Sequence, residues 1–296
     1  MRTLIITCLI LLLTAALPAC DTREPSRYRG DLYFGKGSYL MRFSLRDGSL
    51  VVVDNLGDKA VRDISGLGPN KLLIAESASV NRRSVSRISW FDLETGESSA
   101  LYSGILARYI DKAGIIAYDD GSALHAVPQF GVGIYEVIFP HRSNQLTTLL
   151  VVSGDTLLFE VGDAGQEAIH AWNAVTGERR LLSALSAACR LRGAVWIESL
   201  GQLACKERAP SWAEADYVLA DLEGVVGGRL DLPADRQFLA LTYISGQQAL
   251  ILQETRRGLF GGQEQFAVWA HDVKTGASTR LARNQYLGPS VVHTEF

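Results

Sequence analysis

Cysteine, methionine and histidine are scarce in this chain of 296 residues, which holds 4, 2 and 5 of them. Cys8 and Cys20 fall within the first twenty residues, so only Cys189 and Cys205 remain for the body of the protein. None of the five histidines, His125, His141, His170, His271 and His293, is paired with another at the spacing of metal ligands on one segment. HExxH, GxSxG, CxxC, the phosphate-binding loop and the dinucleotide fingerprint are all missing. No metal and no cofactor is therefore expected. Basic charge is not in excess: Lys and Arg number 29 against 32 Asp and Glu, a formal net charge of −3. That balance argues against a nucleic-acid partner. Long apolar runs are missing too. The longest, residues 4–17, is too short and too weakly flanked for a good transmembrane helix.

That run sits in "MRTLIITCLILLLTAALPAC", with Arg2 ahead of it and small residues behind, which is the layout of a bacterial secretory signal. Leu17-Pro18-Ala19-Cys20 resembles the lipobox of bacterial lipoproteins, although Pro18 departs from the usual small residue. The resemblance implies cleavage before Cys20, then acylation of Cys20 with diacylglycerol and an amide-linked chain such as palmitate. Each buried methylene of such chains adds about 0.8 kcal/mol of membrane affinity. Asp21 resembles the inner-membrane retention signal of enteric-type lipoproteins. The expected organisation is a signal peptide over 1–19, a lipidated Cys20 with a polar tether over 20–30, and one folded domain over 31–296. The expected address is the periplasmic face of a bacterial membrane, the inner one slightly favoured.

The body of the chain repeats itself. "SWFDLETGESSAL" (89–101), "AWNAVTGERRLL" (171–182) and "WAHDVKTGASTRL" (269–281) align on Gly96, Gly177 and Gly276, with Asp92, Asn173 and Asp272 four residues earlier. An Asp or Asn that bonds its own backbone, followed by Gly, makes a tight hairpin turn between two strands. A second series lies between these: "TYISGQQALILQE" (242–254), "WIESLGQLACKE" (196–207), "LVVSGDTLLFEV" (150–161), "RYIDKAGIIAYDD" (108–120) and "GLGPNKLLIAES" (66–77). Each reads as an apolar strand, a polar turn and a second apolar strand. One unit is thus four strands, recurring about every 45 residues, the period of a propeller blade.

Complete units begin near Val61, Ala107, Thr147, Arg190 and Phe238. Residues 31–54 supply three further strands and 288–296 one more, enough for a sixth blade shared by the two chain ends. The unit at 123–141 is degenerate, lacking the Thr-Gly turn and carrying Pro128. A seventh blade finds no stretch to occupy. The predicted fold is all-β: a six-bladed β-propeller of four-stranded antiparallel blades, closed by the N- and C-terminal strands. It resembles the six-bladed β-propeller superfamily, in the style of TolB-like and quinoprotein-type repeats. The "WSPDG" box of TolB-type repeats is absent, so TolB's own role is not implied.

Three expectations about sites follow. In an ungapped register Cys205 faces Ala194, leaving Cys189 roughly 15 Å away along the strand. A disulfide tolerates only about 4–7 Å between Cα atoms, so two buried thiols are predicted. The first strand of each blade should line the axial channel, bringing Asp63, Arg108, Arg190 and His293 towards it, a lining suited to an anion and unlike a calcium cage. Finally, the loops between second and third strands are expected to be long at 77–86, 162–168, 208–216 and 255–265. They carry Arg82, Arg83, Trp212, Arg256, Arg257 and Phe260, and aromatic residues with arginine are the composition of binding hot spots. The expected role is a membrane-anchored, monomeric envelope scaffold or accessory subunit that binds another protein. The alternative is a hydrolase or lyase at the channel mouth, with Arg108, Arg190 and His293 around an anionic small molecule.

Overall fold

The computed structural model describes residues 26–80, 83–129, 136–142, 145–152, 154–163, 166–209, 216–233, 236–256, 265–288 and 290–294. Signal and lipidation expectations for residues 1–25 lie outside them.

The turn chemistry behaves as the sequence suggests. Asp92 Oδ1 accepts the amides of Glu94 and Thr95, both at 3.0 Å, and Gly96 N–H returns to the Asp92 carbonyl at 2.9 Å. Asn173 and Asp272 repeat the same pair of bonds at 2.9–3.0 Å. Gly96, Gly177 and Gly276 stand at φ 72°, 72° and 73°, a left-handed conformation that glycine adopts without a Cβ penalty.

These turns join strands into six sheets of four. Blade 1 comprises β1 (Asp31–Lys36), β2 (Tyr39–Ser44), β3 (Leu50–Asn55) and the last strand, β24 (Val291–Thr294). Blade 2 holds β4 (Ala60–Gly66), β5 (Lys71–Val80), β6 (Arg83–Asp92) and β7 (Ser98–Ser103). Blade 3 holds β8 (Leu106–Ile110), β9 (Ile115–Asp119), β10 (Ala123–Pro128) and β11 (Glu136–Pro140). Blade 4 holds β12 (Leu146–Val152), β13 (Thr156–Asp163), β14 (Gln166–Asn173) and β15 (Arg179–Leu181). Blade 5 holds β16 (Cys189–Ile197), β17 (Gln202–Glu207), β18 (Tyr217–Ala220) and β19 (Val226–Arg229), preceded by the short helix α1 (Ser183–Ala188). Blade 6 holds β20 (Gln237–Ile244), β21 (Ala249–Arg256), β22 (Gln265–Asp272) and β23 (Ser278–Arg283).

The ring closes as predicted: blade 1 has the order β24-β1-β2-β3, with Asp31 opposite Thr294 and Phe34 opposite Val291. Pro128 ends β10 opposite Ile115, beyond the last β11 rung at Ala126, so its missing N–H interrupts no outer ladder.

The core is six layers, one between each pair of neighbouring blades. In β21, Ala249 and Ile251 pack towards blade 1, while Leu250 and Leu252 pack towards blade 5. In β13, Leu157 and Phe159 face blade 3 and Leu158 faces blade 5. Both faces of these second strands are buried, which is why they read as continuous apolar runs.

Strand alternation also sorts the connections. Turns between first and second strands, and between third and fourth, share one face of the ring, here the turn face. Second-to-third loops and the links between blades share the opposite, loop face. Residues 26–30, expected as tether, are docked on the turn face across the joint of blades 6 and 1. Ser26 N–H donates to the Arg46 carbonyl at 2.9 Å, Arg27 pairs with Asp272 at 2.7 Å, and Arg29 exchanges two 2.8 Å bonds with Gln247. Tyr28 is buried beneath them.

Removing residues 287–296 is expected to leave insoluble or unfolded protein, because it strips blade 1 of β24 and exposes two sheet edges. A soluble truncation melting at the wild-type temperature would contradict this closure. A second expectation concerns acid. Backbone donation from Thr95 holds the Asp92 carboxyl below its usual range. Such a group stabilises the fold above its unfolded pKa and loses that contribution as pH falls through the folded one. Asp92→Asn keeps the turn, as Asn173 does, but does not titrate. Its melting temperature should therefore fall less than wild type's between about pH 5 and pH 2.

Candidate functional site

The first strands of the blades line an axial cavity of about 1180 Å³. Near its loop-face mouth stands Asp63, only 3% exposed. Arg108 from blade 3 grips it with both guanidinium nitrogens, Nη2 at 3.3 Å from Oδ1, and Ser290 from the link to β24 donates to Oδ1 at 2.7 Å. Three blades thus meet on one carboxylate. Three of the roughly four lone-pair sites of the Asp63 carboxylate are taken by these bonds. At the other end the cavity is lined by Trp196, Glu198, Tyr243 and His293. His293 Nε2 lies 3.1 Å from the Arg29 carbonyl, so this imidazole joins the terminal strand to the docked N-terminal segment.

Arg190 does not line the cavity. It turns into the joint of blades 4 and 5 and pairs with Glu167 at 3.3 Å. Arg208 binds Glu167 at 2.8 Å and Glu160 at 3.1 Å, and Leu191 N–H donates to Glu160 at 3.0 Å. Burial pushes the Glu160 carboxyl up from its usual range, while the Leu191 amide and Arg208 draw it down. Arg108, Arg190 and His293 are thus at three separate places and do not converge on one reacting centre. Among the described residues no group of three His, Cys, Asp or Glu side chains is placed to hold a metal ion.

The cysteines correct the sequence expectation. Cys189 and Cys205 are disulfide-bonded, with Cα atoms 5.7 Å apart. The ungapped register fails because β16 bulges: Arg190 lies opposite Lys206, but the next rung is Val195 opposite Ala204. The bulge shortens the path and brings Cys189 back to Cys205. Gly193, at φ 68°, is the residue that permits it. An isolated glycine inside an apolar strand is the signal that would have revealed the bulge. The bulged residues Leu191, Arg192, Gly193 and Ala194 line the cavity together with Lys206; Arg192 stands near a first-strand start, where sequence places it, whereas nothing in the sequence marks Lys206.

The loop face also differs from expectation. Val80 pairs with Arg83 and Asp163 with Gln166, so within 77–86 and 162–168 the strand ladders continue where long loops were expected. Strand-compatible residues on both sides let the ladders continue. Arg82, Trp212, Arg257 and Phe260 lie outside the described residues. So do the side chains of Arg83 and Arg256, whose backbones are in β6 and β21. In their place the loop face shows exposed Tyr39, Val85, Ile105, Leu146 and Tyr286, with Leu146 80% exposed.

Denatured, unreduced protein is expected to take up no thiol label at Cys189 or Cys205, and reduction should release two reactive thiols. Replacing both by Ala should cost about 3 kcal/mol of stability, since the bond closes a loop of 16 residues. A wild-type urea midpoint in that variant would contradict a bracing role.

No protein-family model and no curated protein matches the chain. Solved structures do. A chain of a nidogen–laminin complex aligns with a TM-score of 0.63 at 12% identity, over 90% of this chain and 99% of that one. TolB from Acinetobacter baumannii aligns at 0.58 and 13%, over 88% of this chain and 65% of that one. A prolyl endopeptidase aligns at 0.55 and 12%, over 92% of this chain and 50% of that one, so this chain spans half of that enzyme's length. At such identities the likeness establishes the fold alone: the chain is a six-bladed β-propeller.

Proposed function

We propose that this propeller is a lipid-anchored scaffold of the bacterial envelope that binds another protein through its loop face. The observation that carries the reading is where the chain enters the ring. Residues 26–30 are pinned to the turn face by Arg46, Asp272 and Gln247. Cys20 lies six residues before Ser26, a reach of about 20 Å. An anchor at Cys20 therefore draws the turn face to the bilayer and directs the loop face away from it. On that outward face stand Tyr39, Val85, Ile105, Leu146 and Tyr286, exposed apolar groups on a rigid ring. Tethering raises the effective concentration of this face against membrane-bound partners. The fold likeness is in keeping with the reading: one matching structure is a nidogen–laminin complex.

Metabolic labelling with palmitate should mark the wild-type protein and not Cys20→Ser, which should appear in the soluble fraction. Photo-crosslinkers placed at Leu146 or Tyr286 should then capture one envelope protein that crosslinkers at Val175 or Leu200, on the turn face, do not. Leu146→Arg should abolish that capture. Equal capture from both faces, or none from the loop face, would refute the proposed surface.

A further inference from the structure

We propose that the turn-face mouth of the axial cavity binds an alkylammonium group, of a free amine or of a lipid headgroup, at the rings of Trp196 and Tyr243. Trp196 is the last residue but one of β16, and Tyr243 of β20, so both stand where first strands reach the turn face. Trp196 packs partly on the layer between blades 4 and 5, Tyr243 on that between blades 5 and 6, and the two thus flank the end of β16. Both are half-buried, with the remainder of each ring lining the cavity. Glu198, the first residue past β16, is exposed and lines the same mouth. Its neighbour Ser199 shares a 2.6 Å hydrogen bond with the Tyr243 hydroxyl, which holds the ring of blade 6 against the turn of blade 5. Tyr109, last but one in β8, brings a third half-buried ring from blade 3.

Elsewhere this chain covers its aromatic rings with its own cations. Lys71 lies 4.9 Å from the centre of Trp90, Arg236 and Arg280 lie 5.1 and 5.7 Å from that of Trp269, and Lys206 lies 5.7 Å from that of Tyr217. Trp196, Tyr243 and Tyr109 differ: among the described residues no cation and no second ring lies over any of them. Such a ring face attracts a cation within about 6 Å of its centre, most strongly where water is partly excluded. Attraction of that range depends on the groups in the mouth, not on the charge of the whole face.

Those groups suit a cation. Arg108, Arg192 and Lys206 also line the cavity, but they stand towards its loop-face end. Among the described residues no lysine or arginine nitrogen comes within ion-pair distance of Glu198. Lys112 is the basic residue of the nearby turn of blade 3, and its stem lies along Gly154 of blade 4. Asp111, in the same turn, stands beside the Tyr109 hydroxyl, which burial and this carboxyl together push up from its usual range. An alkylammonium group would therefore meet ring faces on its methyl or methylene side and a carboxylate for its charge. The site is set before any ligand arrives, since its rings are held by strand ends and by the Ser199 bond, and this lowers the ordering cost of binding. Only the lipid source leans on the reading that the turn face meets the bilayer.

Calorimetric titration of the full chain with choline tests this. Choline should bind saturably with one site per chain, and its uncharged tert-butyl isostere at least tenfold more weakly. Trp196→Leu and Glu198→Gln should each weaken choline about fivefold or more. Tyr243→Phe keeps the ring and should stay within about twofold of wild type, as should Arg192→Ala at the opposite mouth. Dihexanoyl phosphatidylcholine binding more tightly than choline would assign the lipid source, and equal or weaker binding the free amine; either supports the site. Should Trp196→Leu fail to fold, Glu198→Gln decides, since that side chain is exposed. Absence of saturable choline binding would overturn the site. So would equal affinity for the uncharged isostere, or a loss in Arg192→Ala as large as in Glu198→Gln.

Discussion

The pairing of β24 with β1 is the contact on which the rest depends. Its rungs run from Asp31–Thr294 to Phe34–Val291, and they join residues more than 250 positions apart in sequence. A ring of blades without it has two free edges and one unfilled inter-blade layer. That layer is the large one in which Phe34, Phe43, Leu45, Val268 and Leu287 pack between blades 6 and 1. The N-terminal segment reinforces the seam: Tyr28 is buried in the same layer, and Arg27 and Arg29 bond to blade 6. Closure and chain entry are therefore one construction, and it fixes which face the N-terminus leaves from.

The apolar layers are supplemented by buried charge. Glu76, Glu160 and Glu254 lie near the loop-face ends of their second strands, each at most 6% exposed and each held by an arginine. Glu254 also accepts the Trp269 indole N–H at 2.6 Å. Leaving such a carboxylate without its partner costs several kcal/mol, whereas the net gain from the intact pair is small. Arg208–Glu160 joins blades 5 and 4, whereas Arg87–Glu76 lies within blade 2 and Arg236–Glu254 within blade 6; the apolar layers supply most of the stability. Arg108 with Asp63 also joins two blades, on the channel side.

The disulfide belongs to the same logic. A bulge spends ladder hydrogen bonds to re-aim side chains, and it persists only where the surroundings hold it. Here Cys189–Cys205 and the Tyr217 hydroxyl hold it from two sides, and the aim is into the cavity. The expectation of free thiols failed on this one local irregularity. Four residues without a partner moved Cys189 from far out of reach to a Cα separation of 5.7 Å.

What the sequence by itself determined was everything written in short-range code. Asp or Asn four residues before Gly dictates a hairpin through bonds inside the turn. Apolar strands flanking each turn dictate sheets, and counting them yields six blades with one split between the chain ends. First strands at Ala60, Leu106, Leu146, Cys189 and Gln237 lie within a residue of the expected starts. Tertiary structure alone decided what depends on residues from different blades meeting. It placed Arg108 on Asp63, turned Arg190 to Glu167, and set Arg192 and Lys206 at one mouth. Arginines near the starts of first strands look alike in sequence. Their partners are tens of residues away, and a single bulge changes which side of the sheet each one faces.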